Sequence, residues 1–535
     1  MLHKKYNKVV LVVLDGFGIA SYGRGNAIGL ANPEIFNYIV ANFPTLTLQA
    51  SGPLVGLPWG EMGNSEVGHL NIGAGRIVGQ DLPRITASIQ NGEFFKNQAF
   101  LQAVEHVKQN GSNLHLIGMV SPGGVHSLDE HLFALLGLAK EQGLKEAYIH
   151  MFTDGRDTAQ KIALETLQKA RKKIMEIGLG KFATIAGRFY SMDRGEHWDQ
   201  THLTYESMVS GVGETATSAE EAVLTNYHNN VYDEMIKPTV IVEPDEAGNM
   251  HPVSVIKDND AVIFFNFRQD RALQLTRAFV QPNDIPAPDS RPALQNLCFV
   301  TMTEYMVNLP VTVAFPTINL ANNLAEVISK SGLKQFHIAE SEKYAHVTSF
   351  FNCGSGEPFP GEERLIVSSP TNSKNYLDQP QMSAPELTRA LVEKITKTDI
   401  NFFVANYANG DMVGHTGNIE ACIEAVRSLD IQMQTVMQAV LMADGALLVT
   451  ADHGNVEQLI NNRTGEVDKD HTTNPVPFFL IANEFKFAKP LDMTYQSLAS
   501  KIPEGVISDV APTVLDLFGI AKPEEMTAIN LLSLF

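Results

Sequence analysis

Residues 446–455 read ALLVTADHGN, an apolar, β-branched run that stops abruptly at Asp452, His453 and Gly454. A continuous apolar run of this length is a strand covered on both faces, the kind found in parallel sheets under helices. Other runs have the same shape. VVLVVLD ends at Asp15, LHLIGMV runs into SPGGVHS, and AYIHMFTDGRD ends at Asp157. FATIAGR ends at Arg188, AVIFFNFR at Arg268, and NFFVANY runs into NGD. Helical patterns lie between them, as at 159–177 and 418–442. This alternation predicts α/β architecture with a largely parallel sheet. In open α/β sheets ligands bind beyond the carboxyl ends of strands, where these polar residues fall.

At 535 residues the chain is too long for one ordinary core, so two domains, or one domain inserted in another, are expected. Forty Lys and Arg against 60 Asp and Glu give a net charge of −20, which argues against nucleic acid or an anionic membrane surface as the main partner. An anionic substrate would need local arginine clusters. Cys298, Cys353 and Cys422 form no CxxC pair and read as free thiols of a reducing compartment, used for packing. The start, MLHKKYNKVVLVVLDGFG, is basic and then apolar like a signal peptide. The run is too short and ends in Asp15-Gly16 without a cleavage site, so it reads as a buried strand. No stretch reaches the length of a membrane span, and a cytoplasmic protein is expected.

Five metal-type residues cluster in the C-terminal third: Asp411 and His415 in NYANGDMVGHTG, Asp452 and His453 in TADHGN, and His471 in KDHTTNPVPF. Asp411 and His415 share a face if the segment is helical, although Asn409-Gly410 equally fits a polar loop. Carboxylate oxygens and imidazole nitrogens suit Mn²⁺ or Zn²⁺. Five such groups exceed one tetrahedral site and raise a two-metal, phosphoryl-transfer arrangement. Asp15, another strand-end Asp-Gly, is an additional ligand candidate.

Ser65 sits among glycines in GEMGNSEVGHLNIGAGR (60–76). It reads either as a helix N-cap or as a nucleophile near amide donors that favour phosphate, which a metal or base must activate. Arginines stand at several strand ends: Arg156 in TDGRDT, Arg188 and Arg194 in GRFYSMDR, Arg268 and Arg271 in FNFRQDRA. One such arginine would be a surface ion pair worth little, but a set of guanidinium forks matches phosphate and carboxylate oxygens. Asp157 is a general acid or base, or the ion-pair partner of Arg156. His126 in SPGGVHS is a loop histidine or a phosphate contact. Lys343 in AESEKYAHVTSFFN precedes an apolar run, which implies partial burial near an anion; His346 and Glu342 read as structural. Two hinge candidates, GRIVGQDLPRI (75–85) and NLPVTVAFPTINL (308–320), bracket most of the arginines and leave the metal-type residues outside. That is the pattern of a domain inserted into another.

GNSEVGHLNIGAGR, TDGRDT, GRFYSMDR, FNFRQDRA, AESEKYAHVT, QPQMSA, NYANGDMVGHTG, TADHGN and HTTNPVP, in this order, resemble the cofactor-independent (2,3-bisphosphoglycerate-independent) phosphoglycerate mutases. The metal half alone is shared with the wider alkaline-phosphatase superfamily. The resemblance implies an alkaline-phosphatase-like three-layer α/β domain, discontinuous over 1–79 and 318–535, and a smaller α/β transferase-like domain over 80–317. It implies two Mn²⁺ ions, with Co²⁺ or Mg²⁺ as open alternatives, and no need of 2,3-bisphosphoglycerate. Asp411, His415 and His471 match the ligands of one metal; Asp15, Ser65, Asp452 and His453 match those of the other. Ser65, Asp157 and Lys343 match catalytic positions, with Ser65 becoming phosphoserine. His126, Arg156, Asp157, Arg188, Arg194, Arg268, Arg271 and Lys343 match substrate-binding positions. The implied activity is interconversion of 3-phosphoglycerate and 2-phosphoglycerate by a monomer. Two departures, Glu61 where the family usually has Gln and GEHW at 195–198 where it is more basic, touch no matched ligand. A metal-dependent phosphatase of the same superfamily and a non-catalytic metal- or anion-binding protein are the competing readings. The arginine-bearing insert argues against the first, and Ser65 beside both other groups argues against the second.

Overall fold

The computed structural model describes residues 5–285, 294–318, 320–370, 376–461 and 463–535. The chain divides into two compact units, Met1–Gln80 with Asn319–Phe535, and Asp81–Ile318. In the first unit the described strands form one sheet in the order Glu362–Val367, Gln335–Glu340, Phe402–Tyr407, Val9–Leu14, Ala446–Thr450, Val476–Ile481, Thr45–Gln49, Gly505–Val506. The first five run parallel. Val476–Ile481 runs against both its neighbours. The N-terminal run VVLVVL is the central strand, and all its side chains are buried. Successive side chains on a strand point to opposite faces, so complete burial means both faces are covered. The sheet is the middle of three layers.

The second unit repeats this logic. Its sheet runs Thr312–Phe315, Cys298–Thr303, Ala261–Phe264, Leu114–Met119, Tyr148–Thr153, Lys181–Gly187, Thr239–Pro244, Glu214–Ala216, and is parallel as far as Lys181–Gly187. Alternate residues feed two separate cores. Leu116, Ile149, Met151 and Ile263 enter one, while Ile117, Phe152, Val262 and Phe264 enter the other.

Three expectations need correction. The stretch 308–320 is not all linker, since it contains the edge strand Thr312–Phe315. Ala314 and Phe315 are buried in the second unit's core, and Pro310 and Pro316 flank the strand, positions an edge tolerates. Residue 319 of that stretch lies outside the described residues. Likewise residues 81–85 of the other stretch open the helix Asp81–Gln90. The helical pattern at 159–177 begins only at Ala163, and Ile162 and Ala163 donate their backbone N–H groups to Asp233 Oδ2 at 2.8 and 2.9 Å. The three cysteines are free, but only Cys422 is fully buried; Cys298 and Cys353 are partly exposed. Among the described residues no helix is long and apolar enough to cross a membrane.

A second remote cap supports the first unit. The helix Glu34–Asn42 follows Pro33, which has no side-chain acceptor for the first turn. Asp430, from the long helix Ile419–Met442, accepts from Ile35 N at 3.0 Å and Phe36 N at 2.9 Å. Asp430 is itself buried. Asp430→Ala is expected to destabilise this unit by about 1–3 kcal/mol, because it strands buried N–H donors. Urea unfolding measures this, and an unchanged midpoint would mean the cap contributes nothing.

Candidate active site

In the first unit the polar residues converge at one edge of the sheet because of the strand order. Lys343, Asp411, Asp15 and Asp452 follow the carboxyl ends of four adjacent parallel strands, Gln335–Glu340, Phe402–Tyr407, Val9–Leu14 and Ala446–Thr450. His471 precedes Val476–Ile481, and because that strand is antiparallel its amino end lies at the same edge. Gly16, with φ +71°, lets the chain turn there; a Cβ on it would lie 2.8 Å from Asp411 N and Cα.

Ser65 is the first residue of the helix Ser65–Ala74, not its cap. Asn64 is the cap, accepting from Val67 N at 2.9 Å. That frees the Ser65 hydroxyl, which stands 3.1 Å from Asp15 Oδ1, 3.0 Å from His453 Nε2 and 2.7 Å from Lys343 Nζ. The helix N-terminus beneath it favours negative charge. Lys343 is buried, more fully than the sequence implied, and donates to Asp15 Oδ1 at 2.7 Å and Asp411 Oδ2 at 2.6 Å. Burial alone would lower its pKa, but Asp15, Asp411 and Asp452 outweigh burial and hold it charged.

The donors fit a divalent cation. Each of three histidines turns Nδ1 to a backbone carbonyl: His415 to Lys469 O at 2.8 Å, His471 to Gly63 O at 2.8 Å, His453 to Gly454 O at 3.3 Å. A carbonyl only accepts, so Nδ1 carries the proton and Nε2 keeps its lone pair for a ligand. His415 Nε2 and His471 Nε2 lie 3.2 Å apart, and each lies 3.1 or 3.0 Å from Asp411 Oδ1. Asp411 Oδ1 and Asp452 Oδ2 are buried oxygens that accept no hydrogen bond of good geometry. Three buried carboxylates against the one Lys343 ammonium leave an excess of two negative charges, which burial makes costly unless a cation balances them. Burial and Asp452 raise the pKa of Asp15. For Asp452 burial pulls the same way, but His453, His69 and Lys343 outweigh it and keep the carboxyl ionised.

Donor atoms within 4.8 Å of one another form two groups, Asp411 with His453 and His471, and Asp15 with His69 and Asp452. His453 thus lies between the expected ligand sets. Its Nε2 is 3.5 Å from Asp15 Oδ1, and its ring stacks on His471 at 3.9 Å between centroids. His69 was not among the expected residues. Its Nδ1 stands 2.8 Å from Ser65 O and 3.3 Å from Asp452 Oδ2, and Asn406 Nδ2 links its Nε2 to Asp15 Oδ2. The available signal was spacing, since His69 is four residues beyond Ser65 on one helix face.

The second unit brings its set together by the same device. His126, Arg156 with Asp157, Arg188, and Arg268 with Arg271 follow four neighbouring strands, Leu114–Met119, Tyr148–Thr153, Lys181–Gly187 and Ala261–Phe264. Arg188 is buried and central. Nη1 donates to Asp154 Oδ1 at 2.7 Å and Asp157 Oδ2 at 2.5 Å, and Nη2 to His126 Nε2 at 3.0 Å. Asp157 therefore pairs with Arg188 and not with adjacent Arg156, whose Nη1 lies 3.5 Å from Glu234 Oε1. A guanidinium only donates, so His126 Nε2 accepts and its buried Nδ1–H is left without a hydrogen-bond partner. Burial, then the Arg188 charge, pushes His126 down to about 4, so it is neutral near pH 7. Asp270 gathers Arg194 and Arg268 at 2.7 and 3.0 Å. Burial and the neighbouring charges of Arg188 and Arg194 lower the pKa of Arg271, which marks a crowd of cations that an anion would relieve. Asp154 and Asp270, which hold this crowd in place, were missed from sequence.

The chain resembles known proteins along its length. A family model described as the BPG-independent PGAM N-terminus matches residues 85–307. The 2,3-bisphosphoglycerate-independent phosphoglycerate mutase of Chloroflexus aggregans is 47% identical, covering 98% of both chains. That of Clostridium novyi is also 47% identical, over 98% of this chain and 99% of its own. A crystal structure of Leishmania mexicana phosphoglycerate mutase at low cobalt concentration superposes with a TM-score of 0.57 at 28% identity, over 99% of this chain and 98% of that one. Identity of this extent over nearly the whole chain means that the chain belongs to the 2,3-bisphosphoglycerate-independent phosphoglycerate mutase family.

Proposed function

We propose that this protein interconverts 3-phosphoglycerate and 2-phosphoglycerate, with Ser65 carrying the phosphoryl group in transit and without 2,3-bisphosphoglycerate. The observation that supports this most is the Ser65 hydroxyl, held at a helix N-terminus within 3.1 Å of Asp15, His453 and Lys343. Asp411, His415 and His471 would hold one Mn²⁺, and Asp15, Ser65, Asp452 and His453 a second, with Co²⁺ and Mg²⁺ as substitutes to be tested. Such ions supply Lewis-acid charge, which lowers the pKa of a hydroxyl and neutralises phosphoryl oxygens.

The chain's own groups do the rest. Arg188, Arg194 and Arg156 grip the glycerate carboxylate and hydroxyl region, while Arg268 and Arg271 take phosphoryl oxygens, with the His126 Nδ1–H as a further donor. Ser65 Oγ attacks phosphorus in line; the Oγ–P bond forms as the bond from phosphorus to the substrate's 3-oxygen breaks. Lys343 spreads the developing charge. Asp157 exchanges protons with the glycerate hydroxyls. The departing 3-oxygen takes a proton from Asp157, the glycerate reorients, and Asp157 recovers a proton from the 2-hydroxyl as its oxygen takes the phosphoryl group back and Ser65 Oγ is released as it began, so atoms and protons balance without water. Keeping water away during the phosphoserine stage separates a mutase from a phosphatase. Movement at linkers near 75–85 and 308–320, narrowed by the strand and helix found there, is the proposed means. The protein is proposed to act as a cytoplasmic monomer on a small-molecule substrate. Product analysis with Mn²⁺ and no 2,3-bisphosphoglycerate tests the reading: 2-phosphoglycerate supports it, and free phosphate alone overturns it.

A pH dependence follows. The Asp411 carboxylate beside it raises the pKa of His415 despite burial. For His471 burial acts downward, but Asp411 outweighs it and the pKa again rises. Protons therefore compete for both Nε2 atoms as pH falls through these raised values, and cation affinity falls with it. Activity is expected to drop in mildly acidic buffer and to be partly restored by excess Mn²⁺. An identical drop at low and high Mn²⁺ would count against these histidines as ligands.

A further inference from the structure

Glu457 is a buried carboxylate that the mechanism does not use. It lies four residues beyond His453 and is 1% exposed. Oε2 accepts from Gly18 N at 3.0 Å and Asn455 N at 2.8 Å. Oε1 accepts from Asn474 Nδ2 at 3.0 Å and from the Thr472 hydroxyl. These donors come from three separate segments. Gly18 follows Asp15, Asn455 follows His453, and Thr472 and Asn474 follow His471. Backbone bonds join the same segments, with Val456 N donating to Gly16 O, Thr472 N to Gly454 O and Ile19 N to Pro475 O. Gly18 leaves the room required, since a Cβ there would fall 2.4 Å from Glu457 Cδ.

All four partners are donors, two on each oxygen. Gly18 N and Asn455 N can only donate, so Oε2 must accept, and a carboxylate takes all four bonds with the added strength of its charge. Glutamine keeps an acceptor for the two backbone N–H groups but removes the charge and forces Thr472 and Asn474 to accept instead of donate. We propose that Glu457 is a positioning residue for the metal centre, a single carboxylate fastening the three loops that present Asp15, Asp452 with His453, and His471. It binds no cation itself, because its lone pairs are taken. This inference rests on the reading that those residues hold a divalent cation.

The test is Mn²⁺ titration of the full-length protein, followed by the free-ion EPR signal, with the melting temperature of the metal-free protein and kcat and KM recorded beside it. Glu457→Gln is expected to weaken Mn²⁺ binding about 10–100-fold, as loss of outer-shell support does elsewhere. At saturating Mn²⁺ kcat should recover while KM for 3-phosphoglycerate stays near wild type. Glu457→Gln with wild-type Mn²⁺ affinity, or with a lowered melting temperature as its only defect, overturns the proposal. Should that variant fail to fold, Thr472→Val removes one of the four donors and should weaken Mn²⁺ binding in the same direction; unchanged affinity there overturns it equally. A wild-type protein that binds no Mn²⁺ overturns the metal reading and this inference together, whereas normal wild-type binding with unaffected variants overturns this inference alone.

Discussion

Ser65→Ala is expected to abolish turnover, by on the order of 10⁵-fold or more, while divalent-cation binding largely persists. The separation of the two effects comes from geometry. Removing Oγ takes away the atom proposed to receive the phosphoryl group. It leaves Lys343 Nζ with Asp15 Oδ1 at 2.7 Å and Asp411 Oδ2 at 2.6 Å, so the buried ammonium is not orphaned. The helix keeps its cap, because Asn64 and not Ser65 accepts from Val67 N, and alanine is a favourable residue in a first helical turn. Turnover is measured as 2-phosphoglycerate formed from 3-phosphoglycerate, and binding as Mn²⁺ retained on dialysis. Turnover near wild type would rule out the phosphoserine route. Loss of both properties would make Ser65 an indispensable ligand first.

Arg188→Ala is expected to damage both binding and stability. The guanidinium pairs with both Asp154, which is buried, and Asp157, which is mostly so, and it supplies the hydrogen bond that fixes His126. Breaking a buried pair by removing one partner costs about 3–5 kcal/mol, because the remaining charge is left uncompensated. Loss of the charge-assisted contact proposed between Arg188 and the substrate is expected to add a fall in kcat/KM of roughly 100-fold. Arg188→Lys is expected to rescue little, since a single ammonium cannot span Asp154, Asp157 and His126 as the fork does. The two tryptophans make the stability effect readable. Trp59 is in the first unit and 91% exposed, so Trp59→Phe leaves Trp198 to report the second unit alone. Unfolding of that unit within about 1 kcal/mol of the parent would contradict the ion-pair argument.

Most of the fold was legible because its signal is local. A run such as VVLVVL or FFVANY declares a two-faced strand in six residues, and the polar residue that ends it marks the edge where ligands bind. The strand-end rule pointed to Asp15, Asp411, Asp452, Arg156, Arg188 and Arg268, and all of them follow strands; Lys343 stood out instead as a lysine before an apolar run, and the roles given to these residues came from the family resemblance. What could not be read were groups whose meaning depends on distant partners. Asp154 and Asp270 sit inside motifs already singled out, yet only the folded chain shows them holding Arg188, Arg194 and Arg268. His69 and Asn406 acquire a role only when the helix carrying Ser65 meets the strand Phe402–Tyr407. The start of the helix Ala163–Ile177 was misplaced for the same reason, since its cap comes from Asp233. The edge strand Thr312–Phe315 inside the hinge candidate 308–320 was hidden because prolines mark edge strands and connecting segments alike.

The central position of Val9–Leu14 carries a consequence for how the protein is made. The strand's partner Phe402–Tyr407 is translated roughly 390 residues after it, at ~5–20 residues per second a wait of roughly 20–80 s. The whole second unit, Asp81–Ile318, emerges within that interval and draws on no other part of the chain for its sheet. Nascent chains should thus hold one finished unit tethered to an unpaired, wholly apolar strand, the segment that chaperones must shield until Phe402–Tyr407 has been made.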